Sequence, residues 1–227
     1  MRPMNPSLDA PAAPLEFPGL DGYRKAGGGV LRGLLSKTLV RLLCDESLRL
    51  WSMFAPDGAT NLRVGLRAEP SGQILLNGLD PVSDVSAVFG QLNTAPLLLD
   101  LAEQGLGGPV ITMKDKLIYK WPNTPGFGLH RDGDYNTPRT GVPGAEAMNV
   151  CIALDAVTLA KGPIEFFPAL RLRSTSASVA EPRDIDESAV YGLAPFRPEL
   201  QPGDAVLPPP ASWLGEVRLM WRSVGKP

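Results

Sequence analysis

The segment that decides how this chain is interpreted reads Leu129-His130-Arg131-Asp132-Gly133-Asp134-Tyr135-Asn136, and His130 is the single histidine among 227 residues. In an extended strand, residues two positions apart point to the same face, so His130 and Asp132 would project an imidazole nitrogen and a carboxylate oxygen together. These are two of the three ligands of the 2-His-1-carboxylate triad that holds ferrous iron. The spacing therefore predicts metal ligands at His130 and Asp132, although a His-x-Asp tripeptide also occurs by chance at strand ends.

The composition is that of a globular chain rich in short strands. Hydrophobic residues make up 44% and charged residues 20%, which is typical of a folded domain. The 24 glycines and 24 prolines favour many turns over a helical bundle. Because the formal net charge is only −2, we expect no nucleic-acid or anionic-membrane partner. The two cysteines, Cys44 and Cys151, lie far apart and have no zinc-type spacing.

The order of elements predicts a mainly β domain with N-terminal helices. Residues 1–29 form a loose lead-in, and residues 30–227 form one domain. Helical spacing of leucines covers Val30 to Phe54, and a second helix covers Ser83 to Gln104 with a break near Pro96. Strands are expected within 62–77 (two), 110–121, 148–157, 163–167 and, after a turn, 200–207, and a polar insertion within 173–195.

Nothing in the sequence has the pattern of a targeting or membrane segment. Residues 1–18 lack the apolar stretch of a signal peptide, and no run approaches the roughly 20 apolar residues of a membrane span. We therefore expect a cytoplasmic protein; the sequence does not indicate its oligomeric state.

Several blocks between Asp80 and Asp204 occur in an order that resembles the phytanoyl-CoA dioxygenase family of iron(II)/2-oxoglutarate-dependent oxygenases. Leu79-Asp80-Pro81 precedes a helix, and a Pro/Gly loop separates Leu117-Ile118-Tyr119-Lys120 from His130-Arg131-Asp132. The blocks that follow are Asn149-Val150-Cys151-Ile152-Ala153-Leu154-Asp155, Lys161-Gly162-Pro163-Ile164-Glu165-Phe166-Phe167-Pro168 and Pro202-Gly203-Asp204-Ala205-Val206. The order and spacing of the blocks carry the resemblance, and no block does so alone.

The resemblance implies a double-stranded β-helix, or jelly roll, that uses iron(II), 2-oxoglutarate and molecular oxygen to hydroxylate a small metabolite or natural-product intermediate. His130 and Asp132 match the family's metal ligands. Lys120 stands where the family often has a basic residue, and we expect it to pair with a 2-oxoglutarate carboxylate or to remain a solvated strand-end lysine. Asn149 is expected to face the pocket as a hydrogen-bonding neighbour of the cofactors or to end a turn, and Tyr135 and Asn136 are expected to contact substrate.

The sequence departs from this pattern after Leu207. The family has a distal iron-binding histidine after the strand that follows Pro-Gly-Asp, but this chain has Pro208-Pro209-Pro210 and no histidine. Consecutive prolines do not continue a central strand, so we expect the jelly roll to be incomplete at its C-terminal end. Two explanations stay open. Either the chain is a catalytically silent jelly-roll module that binds a ligand or partner, or its last part is read out of frame relative to a functional ancestor.

Overall fold

The computed structural model describes residue 23 and residues 29–54, 63–68, 71–121, 129–130, 147–167, 195, 197–208, 213–215 and 221–223, with the backbone alone for the last two ranges and Phe167. The helices are α1 (Lys37–Phe54), α2 (Ala87–Asn93) and α3 (Pro96–Leu106), and a 3-10 turn spans Leu159–Lys161. The strands are β1 (Gly29–Leu31), β2 (Val64–Ala68), β3 (Ile74–Leu79), β4 (Leu117–Lys120), β5 (Cys151–Ile152), β6 (Glu165–Phe167), β7 (Ala205–Leu207), β8 (Trp213–Gly215) and β9 (Trp221–Ser223).

The described strands form three sheets. β1, β7 and β5 make an antiparallel sheet with β7 in the centre, and β6 pairs antiparallel with β8. In the four-stranded sheet β2-β3-β4-β9, the first three strands are antiparallel and β9 runs parallel to β4. The expected mainly β architecture with N-terminal helices is confirmed.

The first helix begins later than the leucine spacing predicts. Residues 29–31 form β1, which pairs with β7, and Gly33 turns the chain with a φ of 59°. The helix starts at Lys37, after Ser36, whose Oγ accepts a hydrogen bond from the Leu39 N–H at 3.2 Å. The prediction of a helix from Val30 was wrong because buried leucines before and after the turn mimic one continuous periodicity.

The second helical region is broken where proline predicts it. Ser86 caps α2 by accepting a hydrogen bond from the Phe89 N–H at 3.3 Å, and α3 begins at Pro96. Gly107 ends α3 in the left-handed conformation with a φ of 79°, which glycine adopts without steric cost. The hairpin expected within 62–77 is confirmed as β2 and β3.

The later strands are shorter than predicted, but the chain after Leu207 contributes to the sheets. Of residues 110–121 only β4 is a strand, and of residues 148–157 only β5 is one. As expected, β7 ends at Leu207, directly before the prolines. Although the jelly roll is expected to be incomplete after Leu207, the tail strands β9 and β8 pair with β4 and β6.

The β1-β7-β5 sheet carries an apolar layer on each face. Alternate residues point to opposite faces of a strand, and neighbours along these strands accordingly fall into two different clusters. One cluster, the helix-side layer, joins the sheet to the helices and includes Leu31, Leu43, Leu50, Ile152, Ala205 and Leu207. The other, the inner layer, consists of Cys151, Ala153, Val157, Ile164, Phe166, Leu200 and Val206, with Val30 packed against it.

The Pro-Gly-Asp turn fastens the start of β7 to the segment before α1. Asp204, 4% exposed, accepts hydrogen bonds from the N–H groups of Gly33 and Gln201 at 2.8 and 2.9 Å and from Arg32 Nη1 at 2.7 Å. Gly203 has a φ of 93°, and a Cβ there would lie 2.7 Å from the Leu35 carbonyl oxygen. This turn therefore requires glycine followed by a buried acceptor.

Most of the predicted lead-in, residues 1–29, and most of the predicted polar insertion lie outside the described residues. Within the lead-in, Tyr23 is fully buried in the helix-side layer and Gly29 belongs to β1. The division at residue 30 stays a prediction. None of the helices that the structure describes is both long and apolar enough to cross a bilayer.

Candidate metal centre

His130 lies in the short described segment 129–130. Leu129 is buried, with 4% of its surface exposed, whereas His130 is half-buried and takes part in a single β-bridge. A bridge requires locally extended backbone, which is the conformation that the His-x-Asp interpretation assumes. Asp132, Tyr135 and Asn136 lie outside the described residues, so the convergence of His130 and Asp132 on one metal ion stays a prediction.

Lys120 is the last residue of β4, a strand whose other residues are all buried. Its side chain is half-buried, and Nζ donates a 2.6 Å hydrogen bond to the Gly162 carbonyl oxygen. Gly162 stands at the end of the 3-10 turn in the left-handed region, with a φ of 67° and a ψ of 82°. The simple picture of a solvated strand-end lysine is therefore wrong, because the ammonium group links β4 to the segment that enters β6.

Asn149 precedes β5 by two residues and is half-buried. In β5, Cys151 and Ile152 pair with Val206 and Ala205 of β7. Beyond β5, the Ala153 N–H donates to the Asp204 carbonyl oxygen at 2.9 Å. Asn149 thus precedes a buried strand that pairs with β7, and its contact with a cofactor stays a prediction.

The donor set is compatible in kind with a ferrous ion. His130 offers an imidazole nitrogen and Asp132 a carboxylate oxygen, two of the ligand types of non-haem ferrous sites. Within the described ranges, which do not include Asp132, no group of three or more His, Cys, Asp or Glu side chains is placed to hold a metal ion. With a single histidine in the chain, a further protein ligand from this sequence has to be of another type.

Two features of the region were not identified from the sequence. The Gly162 carbonyl that accepts from Lys120 lies 42 residues further along the chain, and a backbone acceptor has no residue-type signal. Asp204 belongs to a block that carried the family resemblance, but its role is to accept hydrogen bonds within the turn. The Pro-Gly-Asp block is therefore structural here.

Solved structures show the class of fold to which this arrangement belongs. AviO1 from Streptomyces viridochromogenes Tue57 superimposes with a TM-score of 0.68 at 20% identity, over 87% of this chain and 85% of that one. EctD from S. alaskensis, solved with 2-oxoglutarate and 5-hydroxyectoine, superimposes with a TM-score of 0.65 at 18% identity, over 96% of this chain and 77% of that one. At these identities the likeness concerns the fold. The expected jelly-roll fold of the iron/2-oxoglutarate oxygenases is confirmed.

The family follows from the sequence. The family model described as phytanoyl-CoA dioxygenase (PhyH) matches residues 23–213, and the chain belongs to this family. L-proline trans-4-hydroxylase from Streptomyces griseoviridis is 30% identical over 118 residues. That match spans 49% of this chain and 42% of the hydroxylase, less than half the length of the relative.

Proposed function

We propose that this chain is an iron(II)- and 2-oxoglutarate-dependent oxygenase that hydroxylates a small metabolite or a natural-product intermediate. The observation that carries the proposal is the family match over residues 23–213, which includes the His130-Arg131-Asp132 segment. The similarity to a proline hydroxylase and the likeness to EctD, solved with 2-oxoglutarate, support the same reaction class. We keep a cytoplasmic location as part of the proposal, which cell fractionation tests.

In this proposal His130 and Asp132 hold the ferrous ion. The ion, when bound, supplies open coordination positions at which 2-oxoglutarate and molecular oxygen react. The residues of the chain hold these partners in place and keep the surroundings apolar. Alternation along β5, extended back by two residues, puts Asn149 on the face of Cys151, which belongs to the inner layer. Tyr135 and Asn136 follow the metal ligands and are proposed to contact substrate.

Lys120 is proposed to bind a carboxylate of 2-oxoglutarate. Its side chain is half-buried, and Nζ donates a hydrogen bond to the Gly162 carbonyl oxygen. A carboxylate is a stronger acceptor than the carbonyl because the hydrogen bond is then between opposite charges. Position and charge together support the assignment.

The decisive experiment measures succinate formed from 2-oxoglutarate with ferrous iron, ascorbate and oxygen, together with anaerobic titration of ferrous iron. We expect binding of iron that His130→Ala and Asp132→Ala abolish. Arg131→Ala is the matched control, since in the extended segment that the His-x-Asp pattern predicts its side chain would point to the opposite face. Iron binding that survives both ligand substitutions would refute the assigned centre.

A second experiment isolates Lys120. Lys120→Met should weaken 2-oxoglutarate binding and leave the fold intact. Lys161→Met is the control, because Lys161 Nζ also donates to a backbone carbonyl, that of Ala156 at 3.2 Å, but from an exposed position. If Lys120→Met and Lys161→Met bind 2-oxoglutarate with equal affinity, the role of Lys120 is purely structural.

The alternative function is a catalytically silent jelly-roll module that binds a ligand or partner. The specific observation in its favour is the single histidine of the chain, which leaves the 2-His-1-carboxylate triad one histidine short. Binding of iron and 2-oxoglutarate without succinate formation would favour this module over the oxygenase.

A further inference from the structure

The inner layer contains a small cavity, and His130 is not among its described lining residues. Its volume is about 20 Å³, and its lining includes Cys151, Ala153, Val157, Ile164, Leu200 and Val206. All of the described lining residues have apolar side chains. Room for a water-sized molecule begins at about 10–15 Å³, so the cavity holds one very small molecule and excludes a metabolite.

Water is a poor occupant of this cavity. A buried water needs about two to four polar partners. Around the cavity, Val157 and Leu200 exchange both of their backbone hydrogen bonds, at 2.8 and 3.0 Å. The Ala153 N–H donates to the Asp204 carbonyl oxygen, and the Ala153 carbonyl oxygen accepts from the Gly203 N–H at 2.8 Å. These backbone groups are already engaged, and the side chains offer little to a water molecule.

A non-polar gas molecule fits both the size and the chemistry of the cavity. Apolar cavities in proteins stay dry and take up non-polar guests such as xenon. A guest gains dispersion contacts that an empty void lacks, and the polarisable sulphur of Cys151 adds to them. Because the inner layer is packed around the guest on several sides, those contacts are numerous for so small a molecule.

We propose that this cavity binds molecular oxygen. The choice of oxygen over another non-polar gas rests on the proposed oxygenase function, in which oxygen is a reactant. Binding itself depends only on the size and apolar lining of the inner-layer cavity. Oxygen held there would be stored against the inner layer of the β1-β7-β5 sheet.

Nuclear magnetic resonance of the methyl-labelled chain under oxygen pressure tests this directly, because dissolved oxygen is paramagnetic and speeds the relaxation of nearby nuclei. We expect the enhancement at the methyl groups of Val157, Ile164 and Leu200 to exceed several-fold that at Leu43 and Leu50. The latter two are also buried but belong to the helix-side layer. This comparison within one unaltered chain needs no variant.

A matched pair of substitutions locates the bound oxygen. Ala153→Val places two extra methyl groups at the cavity wall. We expect the relaxation enhancement at the methyl groups of Val157, Ile164 and Leu200 to fall several-fold in this variant. Ala205→Val makes the same change at a buried alanine of the helix-side layer and should leave the enhancement unchanged. Equal enhancement at the methyl groups of both layers, or no loss in Ala153→Val, would overturn the proposal. The measurement uses no iron, 2-oxoglutarate or turnover, so failure of the oxygenase assay and failure of oxygen binding are separate results.

Discussion

Replacing Asp204 by alanine tests whether the Pro-Gly-Asp turn is a structural clamp. The carboxylate accepts two backbone hydrogen bonds, from Gly33 and Gln201, and one from the Arg32 guanidinium. Asp204→Ala removes all three, whereas Asp204→Asn retains one acceptor oxygen. Arg32→Ala removes the ion pair and leaves both backbone bonds in place.

The expected magnitude follows from the exposure of the partners. Gly33 and Gln201 are exposed, so water replaces part of what Asp204 provides, and we take about 1 kcal/mol for each backbone bond. The Arg32 side chain is 59% exposed, and a pair with such a partner contributes about 0.5 kcal/mol after screening. Asp204→Ala should therefore lower the free energy of unfolding by about 2.5 kcal/mol. Asp204→Asn should cost roughly half as much, and Arg32→Ala least.

Urea unfolding followed by circular dichroism measures these differences. Asp100→Ala is the control, because Asp100 is an exposed aspartate of α3 whose loss should change stability by less than about 0.5 kcal/mol. A cost for Arg32→Ala equal to that for Asp204→Ala would show that the ion pair, not the backbone bonds, holds the turn. If Asp204→Ala lowers the free energy of unfolding no more than Asp100→Ala does, the turn has no such structural role.

Three further predictions concern the Pro-Gly-Asp turn, the helix α1 and the residues after Leu207. Gly203→Ala should destabilise the fold by more than Gly72→Ala in the same urea assay: both glycines have positive φ, but a Cβ at Gly72 meets open space and one at Gly203 meets the Leu35 carbonyl. The hydrogen bond from Arg49 lowers the pKa of the Glu46 carboxyl from its ordinary value of 4.5. The charged Glu46 therefore stabilises the folded state at pH values above 4.5, and this stabilisation is lost as the pH falls through the lowered pKa. Acid titration of stability should thus be shallower in Glu46→Gln than in the unaltered chain, and identical slopes would contradict this. If the chain after Leu207 is read out of frame, genomic DNA shifted by one base should encode a histidine near codons 211–213; a shifted frame without one, or with an immediate stop, would dispose of the idea.

The sequence by itself determined the features that single residues control. Pro96 marks the break between α2 and α3, as predicted, because a missing N–H acts within one helical turn. The predicted limits, Ser83 and Gln104, differ from the observed Ala87 and Leu106. The same locality made the β2-β3 hairpin and the turn before β7 predictable. The order of short motifs was sufficient to identify the family, and it singled out His130, since a metal-binding spacing is local as well.

Only the tertiary structure decided which distant segments meet. Residues 29–31 belong to a strand because β7, more than 170 residues later, completes their hydrogen bonds, whereas the leucine spacing alone predicted a helix. The link from Lys120 to Gly162 and the pairing of the tail with β4 and β6 are likewise invisible in the residue pattern. Hydrophobic periodicity reports which residues are buried but not against what, because burial is a property of one side chain and pairing is a property of two backbones.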